Sequence, residues 1–293
     1  MATSSDIPAA EGSRFVLTLS CRDRIGIVAE VSRFLVAHRC NIVDSAQFGD
    51  PDNGLFFMRT SFQAEGQQTL EELERDFAPV KKAFDMTADF HTQGARLPAL
   101  ILVSKFGHCL NDLLYRHRIG ALPLDIRAVV SNHSDFADVA AAARIPFHHL
   151  AVTPETKAVQ EMRLLDIARH EKVELIVLAR YMQVLSPMLC AAYSGRIINI
   201  HHSFLPSFKG ARPYQQAHER GVKLIGATAH YVTSDLDEGP IIEQAVERVT
   251  HAHSIDDMVA AGRDLESVVL ARAVKWHAER RTLPNGRRTV VFR

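Results

Sequence analysis

The spacing of apolar side chains divides the first ninety residues into short strands and amphipathic helices. Runs of apolar and β-branched residues between turn-forming residues predict strands at 15–20, 41–47, 55–63 and 86–91. Apolar residues at helical spacing predict helices at 24–38 and 70–84. The resulting order, β-α-β-β-α-β, is that of a small ferredoxin-like unit.

The pattern changes after residue 98, where short apolar runs alternate with helical segments. We predict strands at 99–103, 126–131, 147–150, 175–179, 197–200, 225–232 and 241–249, with helices at 108–115, 153–170 and 255–276. Alternation of this kind is typical of a mostly parallel sheet. The fold class is therefore α/β, a ferredoxin-like βαββαβ domain followed by a Rossmann-like domain. We expect a disordered lead at 1–13, a first domain at 14–91, a linker at 92–98 and a second domain at 99–293.

Bulk composition narrows the classes of function. The chain has 293 residues, enough for about two domains, and its 34 basic residues balance 34 acidic ones. Balanced charge gives no general attraction to nucleic acid or to anionic membranes, and no apolar run approaches the length of a membrane span. Four scattered cysteines without a CxxC motif favour reduced thiols and a cytoplasmic location.

Three polar residues near the predicted strand at 197–200 suggest carbonyl chemistry. Asn199 and His201 are two positions apart, so they leave that strand on one face, and Asp237 follows in a loop. Ligands bind at the carboxyl ends of strands in an open α/β sheet. An amide and a protonated imidazole can stabilise an oxyanion there, while a carboxylate orients the imidazole and draws a proton from water. The residues alone leave an ordinary polar turn as the alternative.

The surrounding motifs point to a family. Asn199-x-His201 is followed by Ser203-x-Leu205-Pro206, and then by Leu236-Asp237-x-Gly239-Pro240. This succession resembles the folate-dependent formyltransferases. The resemblance implies that 10-formyltetrahydrofolate is bound as the formyl donor and that Asn199, His201 and Asp237 form the catalytic triad.

The resemblance also implies where folate lies. The expected substrate-binding residues follow a strand or border the Asp237 loop: Met182, Gln183, Val184, Leu185, His230, Ser234 and Gly239. The apolar members suit a flat heteroaromatic ring. Gln183 departs from the family, in which an Arg at this position often meets the folate tail, and simple burial is the alternative for Leu185. A hydrogen bond that holds the loop is the expected role of His230.

The loop after the first strand of the second domain bears on the formyl acceptor. Related enzymes with a phosphorylated amine acceptor have a glycine-rich loop here, whereas this chain has Lys105, Phe106, Gly107 and His108. A phosphate cradle needs backbone without side chains. The loop therefore resembles the deformylase branch of the family, which transfers formyl to water, and that likeness runs from about Arg14 to Phe292. Direct pairing of Lys105 with a phosphate is the alternative.

The first domain resembles an ACT domain, a module that senses amino acids. The likeness lies in the loop Asp23, Arg24, Ile25 and Gly26 and in Asn41 to Asp44. It implies that this loop binds a small amino-acid effector, with a helix N-terminus favouring its carboxylate. A purely structural, dimer-forming domain is the alternative. Exposed sheet edges favour a homo-oligomer.

The hypothesis that follows is hydrolysis of 10-formyltetrahydrofolate to formate and tetrahydrofolate, in one-carbon metabolism and formate supply for purine synthesis. Folate is then the substrate, and we expect no separate cofactor. None of the 15 histidines has zinc-site spacing, so we expect no metal. His202 alternates away from His201 along the strand, which predicts a position in the packing or in solvent. Two alternatives remain: formyl transfer to an amine, and a non-catalytic amino-acid sensor. Formate release without an added amine would distinguish the hydrolysis from both alternatives.

Overall fold

A computed structural model describes residues 12–205 and 213–293 of the chain. The chain divides into two compact units, one formed by residues up to 95 together with 292–293, the other by 96–291. The predicted lead at 1–13 lies outside the described residues except for Gly12 and Ser13, and Pro206 of the sequence motif also lies outside them.

The first unit is a four-stranded antiparallel sheet with two helices. Its elements are β1 (Arg14–Arg22), α1 (Ile27–Ala37), β2 (Cys40–Asp50), β3 (Leu55–Ala64), α2 (Leu70–Phe84) and β4 (Thr87–Thr92). The strand order β2-β3-β1-β4 is that of the ferredoxin-like arrangement. Both predicted helices form. Helix α1 begins three residues later than predicted, because Gly26 takes a left-handed conformation (φ 101°) before the helix starts.

An aromatic cluster fills the core of this unit. Phe34, Phe77 and Phe90 are buried, and their ring centroids lie 4.9 to 6.0 Å apart. Helix α2 is positioned by a capping box, in which Thr69 and Glu72 each bond the other's backbone N–H. Local capping and core packing therefore agree on where this helix lies.

The second unit is built on a seven-stranded sheet. Its elements are β5 (Leu97–Val103), α3 (His108–Arg118), β6 (Leu124–Ser131), α4 (Ala137–Ala142), β7 (Phe147–His149), α5 (Lys157–His170), β8 (Leu175–Leu178), α6 (Pro187–Ala192), β9 (Ile197–His201), α7 (Pro213–Glu219), β10 (Leu224–Tyr231), β11 (Ile241–Arg248) and α8 (Ile255–Ala278). A separate hairpin of β12 (Thr282–Asn285) and β13 (Arg288–Val291) follows. The sheet order is β11-β10-β9-β8-β5-β6-β7, parallel from β9 to β7 and antiparallel at β10 and β11. The mostly parallel α/β fold is thus confirmed.

The structure shortens the predicted linker at 92–98. Thr92 still belongs to β4, and Leu97 and Pro98 already belong to β5, where they pair with β6. The last two residues, Phe292 and Arg293, group with the first unit, although the expected second domain extended to 293.

Some helices differ from their predicted limits. Helix α5 begins at Lys157 rather than near Thr153, because Thr153 and Thr156 each accept the other's backbone N–H and form a turn first. The short helices α4, α6 and α7 and the final hairpin were not predicted. Each helix has only six or seven residues, too few for a helical period to emerge.

Apolar residues cover both faces of the central sheet. One core includes Ile101 and Val177 and packs against α3 and α8, and the other includes Leu100 and Ile176 and packs against α5. Strands buried on both faces are expected in a parallel sheet. Among the described helices, none combines the length and apolar character needed to cross a membrane.

The antiparallel edge contains one irregularity. Ala229 of β10 pairs with Glu243 and His230 pairs with Ile241, so Ile242 is an extra residue in β11. Such a β-bulge bends its strand and changes where the neighbouring side chains point. It lies directly after the loop that carries Asp237.

Candidate active site

The three residues singled out from the sequence come together at the carboxyl end of β9. Asn199 and His201 belong to β9, and Asp237 lies in the loop between β10 and β11, with a left-handed backbone (φ 57°). His201 Nδ1 lies 3.3 Å from Asp237 Oδ2. A non-glycine residue in this conformation needs support from its surroundings, and here it places a carboxylate against an imidazole.

His230 joins this group from the neighbouring strand. It pairs directly with Asn199 in the register of β10 and β9, and its Nε2 lies 3.3 Å from Asn199 Nδ2 and 3.6 Å from Asp237 Oδ1. Its Nδ1 donates to the carbonyl of Tyr231 at 2.9 Å, since a carbonyl can only accept. In the neutral ring, Nε2 therefore accepts from the Asn199 amide and orients it.

Asp237 is strongly acidic in this setting. Its hydrogen bond with His201 holds the pKa of the Asp237 carboxyl well below its ordinary value, although partial burial opposes the shift. The group is thus a carboxylate over the physiological pH range.

The other nitrogen of His201 is the reactive feature of the site. His201 Nε2 is buried and has no hydrogen-bond partner among residues 12–205 and 213–293. The ring borders a cavity of about 270 Å³, whose lining residues come from the ends of β8, β9 and β10 and the loops after them: Leu178, 180–185, 199–202, His230 and 232–237. A buried polar atom without a partner marks a place for an external hydrogen-bonding group, which is an acceptor when the His201 ring is protonated.

Most of the residues expected to bind folate border this cavity. Met182, Gln183, Val184, Leu185, His230 and Ser234 all line it. Gly239 does not. A Cβ at that position would lie 1.7 Å from the Tyr231 carbonyl oxygen, so glycine allows the loop to pass close to β10.

Hydrogen bonds from neighbouring elements hold the 182–185 loop. Met182 N donates to Ser104 Oγ at 2.9 Å, and Ser186 N donates to Glu161 Oε1 at 3.0 Å. Met182 and Val184 are about half exposed. The cavity therefore has a fixed rim with apolar side chains available to a planar ligand.

The loop after β5 forms no open cradle. A Cβ on Gly107 would lie 2.3 Å from the ring of Phe136, so this ring already occupies the space beside the glycine. The Phe106 ring lies between the guanidinium groups of Arg180 and Arg263, 5.7 Å from each. Lys105 is exposed, and no residue from 105 to 108 lines the cavity.

Sequence reasoning missed a buried charged group beside the site. Glu266 of α8 accepts from His108 Nε2 at 2.7 Å and from the Tyr214 hydroxyl at 3.0 Å, and Arg180 Nε lies 3.3 Å from its carboxylate. Arg180 Nη1 also donates to His202 Nδ1 at 2.8 Å. Arg180 and Glu266 are far apart in sequence and belong to no motif, so the sequence gives no indication that they meet.

The position of His202 corrects a sequence-based expectation. Alternation along the strand predicted that it would point away from His201, into the packing or solvent. Instead the two rings stack at 5.0 Å, and His202 lines the cavity. The strand ends at His201, so period-two alternation stops applying at this point.

One group of possible metal ligands occurs in the described parts of the chain, at His108, Cys109 and Glu266. The guanidinium of Arg180 already faces the Glu266 carboxylate. Burial raises the pKa of the Cys109 thiol, which disfavours the thiolate that a metal needs. This group does not fit a cation, and the absence of a functional metal stays a prediction.

The expected effector loop is exposed in the first unit. Asp23 N donates to the Gly54 carbonyl at 2.9 Å, the Arg24 guanidinium lies over the Phe84 ring at 4.4 Å, and Ile25 is fully exposed. Gly26 ends the loop in its left-handed conformation. The loop is thus anchored at both sides while Ile25 projects outward.

Comparisons with known proteins cover both units. A model of the ACT domain matches residues 15–78, and the formyl transferase model matches residues 98–274. A formyltetrahydrofolate deformylase from Corynebacterium sp. (strain P-1) is 49% identical over 97% of this chain and 100% of its own length.

Solved structures show the same relation. A formyltetrahydrofolate deformylase from Burkholderia mallei ATCC 23344 superposes with a TM-score of 0.92 at 53% identity, covering 96% of this chain and 100% of that one. A glycinamide ribonucleotide transformylase from Symbiobacterium toebii, with a TM-score of 0.64 and 31% identity, covers 69% of this chain and 97% of its own. The transformylase leaves about a third of the chain unmatched, whereas the deformylases match nearly all of it, so this chain belongs to the formyltetrahydrofolate deformylase family.

Proposed function

We propose that this protein hydrolyses 10-formyltetrahydrofolate to formate and tetrahydrofolate. The observation that carries the proposal is the arrangement around His201. Its Nδ1 meets a carboxylate, while its Nε2 is buried beside the cavity and has no partner among the residues that the structure describes. Asn199 provides an amide on the same face of β9. Full-length relatives named as deformylases support the same reaction.

The reaction begins when water attacks the formyl carbon. The carbonyl oxygen becomes an oxyanion, which accepts hydrogen bonds from the Asn199 amide and from protonated Nε2 of His201. The tetrahedral intermediate then breaks its bond to N10, which takes up a proton as tetrahydrofolate leaves, and formate remains. One proton of the attacking water ends on N10, and the other is released to solvent when the formic acid first formed ionises to formate.

Asp237 acts in this scheme mainly through His201. Because its pKa lies well below the ordinary carboxyl value, Asp237 accepts a proton reluctantly. It instead fixes the ring by accepting a hydrogen bond from the Nδ1–H of His201, and its negative charge stabilises the positive charge on the imidazole. This favours orientation of His201 over direct removal of a proton from water.

Water is favoured as the acceptor by the loop after β5. Phe136 fills the space beside Gly107, and Phe106 packs between two guanidinium groups. A phosphate approaching the backbone amides there would have to displace both rings. The same loop argues against the rival reaction with a phosphorylated amine.

The lining of the cavity supports folate binding there. The apolar faces of Met182, Val184 and Leu185 suit the pterin ring, and the backbone of this loop can pair with its polar edge. Glutamine at 183 offers an amide rather than a cation to the folate tail. We expect neither a metal nor a separate cofactor to take part.

The deciding experiment measures formate release from 10-formyltetrahydrofolate with no amine present. Turnover with equal amounts of formate and tetrahydrofolate supports the proposal. Formyl transfer that appears only when an amine is added would favour the rival transferase. Amino-acid binding without any turnover would favour the sensor.

The first unit adds a proposed regulatory role. A small amino acid binding at Asp23 to Gly26 would place its carboxylate near the start of α1. Assembly into a homo-oligomer through this unit, a cytoplasmic location and a link to purine synthesis belong to the same proposal. Formate release and thermal stability measured with a panel of amino acids test the effector, and an Asp23→Ala variant should lose the response.

A further inference from the structure

Arg180 is held in an unusual conformation beside the cavity. It follows β8 with a left-handed backbone (φ 64°), which few non-glycine residues adopt, and its side chain is only 11% exposed. The guanidinium contacts His202 on one side and Glu266 on the other. Local strain of this kind persists where the surrounding structure maintains it, often at functional sites.

Glu266, the ion-pair partner of Arg180, is itself held in place by its neighbours. Its side chain is 2% exposed and is held by His108 and Tyr214. Gly262, one helical turn earlier in α8, makes room for the tyrosine, because a Cβ there would lie 2.0 Å from the Tyr214 hydroxyl. Burial opposes ionisation of Glu266, yet the His108 hydrogen bond and the Arg180 charge lower its pKa, so a carboxylate faces the guanidinium.

His202 connects the Arg180–Glu266 pair to His201, because it contacts both Arg180 and His201. A guanidinium can only donate, so His202 Nδ1 accepts and the proton of the neutral ring lies on Nε2. Burial, and then the charge of Arg180, lower the pKa of His202 to about 4. A neutral His202 therefore stacks on His201, with the ring planes 24° apart.

We propose that Arg180 and Glu266 are positioning residues for the hydrolysis, holding His202 neutral and flat against His201 so that His201 Nε2 stays directed at the formyl oxygen. This inference rests on the proposed function and assigns to the reaction a pair of residues outside the motif triad. Neither residue needs to touch the reacting atoms.

The charges around His201 make the proposal testable by pH. The titratable and charged groups that border the cavity with His201 are Arg180, His202, His230, Asp235 and Asp237, and those that face Glu266 are His108, Tyr214 and Arg180. The cation of Arg180 disfavours a proton on His201, whereas the anion of Glu266 favours it.

The experiment measures kcat and KM across pH for Glu266→Gln and Arg180→Met. Misplacement of His201 should lower kcat by about 10- to 100-fold in both, with KM within about 2-fold of the unsubstituted enzyme. Loss of the anion should move the alkaline limb of kcat to lower pH, and loss of the cation should move it to higher pH. We expect each shift to be about half a pH unit or more.

Three controls separate positioning from general damage. Arg169→Met removes an exposed cation of α5 and should leave the pH profile unchanged. Arg180→Lys keeps the charge and should recover part of kcat. The double variant Glu266→Gln with Arg180→Met has no unpaired buried charge, so it should fold even if a single variant does not, and its alkaline limb should return towards that of the unsubstituted enzyme.

The outcomes distinguish this inference from the proposed function. If the unsubstituted enzyme releases no formate, the proposed hydrolysis itself is wrong. If it does, but the two limbs stay in place or move in the same direction, Arg180 and Glu266 serve only the fold and the positioning role is overturned.

Discussion

Asn199 is the residue whose removal most directly tests the oxyanion scheme. Its amide is oriented by His230 and is not needed for the β9 backbone ladder. We expect Asn199→Ala to lower kcat by about 10²–10³-fold, as for other oxyanion donors, with little change in the urea midpoint. Steady-state formate release measures the effect. Asn111→Ala, on an exposed position of α3, is the matched control, and equal losses in both would contradict the assignment.

Gly107 tests whether the Phe136 ring closes the loop after β5. An alanine Cβ would lie 2.3 Å from that ring, so Gly107→Ala should destabilise the protein by about 1–3 kcal/mol through overpacking. Trimming the ring in a Gly107→Ala, Phe136→Leu double variant should recover part of the loss, a non-additivity typical of residues in contact. Urea unfolding of the four proteins measures it, and strictly additive effects would show that the ring does not fill this space.

Residues near one another in sequence were easier to predict than distant pairs. The common face of Asn199 and His201 followed from the period of a single strand. The place of Asp237 followed from a resemblance, because a loop does not define where its side chains point. The contact of Arg180 with Glu266 depends on α8 packing beside the end of β8. Nothing in the sequence around either residue indicates that its partner lies in another element.

At the level of whole elements, α8 carries a pH-dependent contribution to stability. His277 is partly buried and accepts a 2.7 Å hydrogen bond from the Tyr231 hydroxyl of β10. Burial, and secondarily Arg280, lower the pKa of His277 to about 3. In the unfolded chain, His277 takes up a proton near pH 6.5, whereas the folded ring stays neutral until about pH 3. The stability that this histidine contributes above pH 6.5 is therefore lost as the pH falls towards 3.

We expect His277→Gln to reduce this acid sensitivity. The loss for one such histidine is about 1.4 kcal/mol per pH unit below 6.5, so the stability difference between pH 7.5 and 5.5 should shrink by about 1 kcal/mol in the variant. Glutamine keeps an acceptor for Tyr231. Urea unfolding at the two pH values measures the change, and His170→Gln, at an exposed position of α5, is the control. An unchanged difference in His277→Gln would contradict the argument.

Elements with several agreeing signals matched their predictions best. Helix α2 extends over the predicted 70–84, since an amphipathic pattern and a capping box indicate the same limits. The short helices α4 and α6 depend instead on the strands they connect. Their few residues form helix because the neighbouring sheet provides the apolar surface, which a local pattern does not reveal.

At the scale of the whole molecule, two separate cores predict separable unfolding. Phe77 belongs to the aromatic core of the first unit, and Trp276, the single tryptophan of the chain, packs against the core of the second. Replacing Phe77 with alanine removes a fully buried ring and should cost about 3–5 kcal/mol. We expect this loss of stability to affect the first unit and not the second.

The measurement is urea unfolding followed by two probes. In Phe77→Ala, circular dichroism should show an early transition that tryptophan fluorescence does not follow. Val269→Ala, in the core of the second unit, should move the fluorescence transition instead. If fluorescence and circular dichroism move together in Phe77→Ala, the two units unfold as one.

The extra residue in β11 has a consequence for how far the Asp237 loop reaches. Ile242 takes up one position of chain between this loop and the regular pairing of the sheet edge. Deleting it would restore even pairing and draw the loop back by about 3.4 Å, one strand residue. That length is comparable to the 3.3 Å between Asp237 and His201. Ile242 thus sets how far the Asp237 carboxylate reaches towards His201. An insertion or deletion at this sheet edge can change the position of the carboxylate while the parallel strands keep their structure.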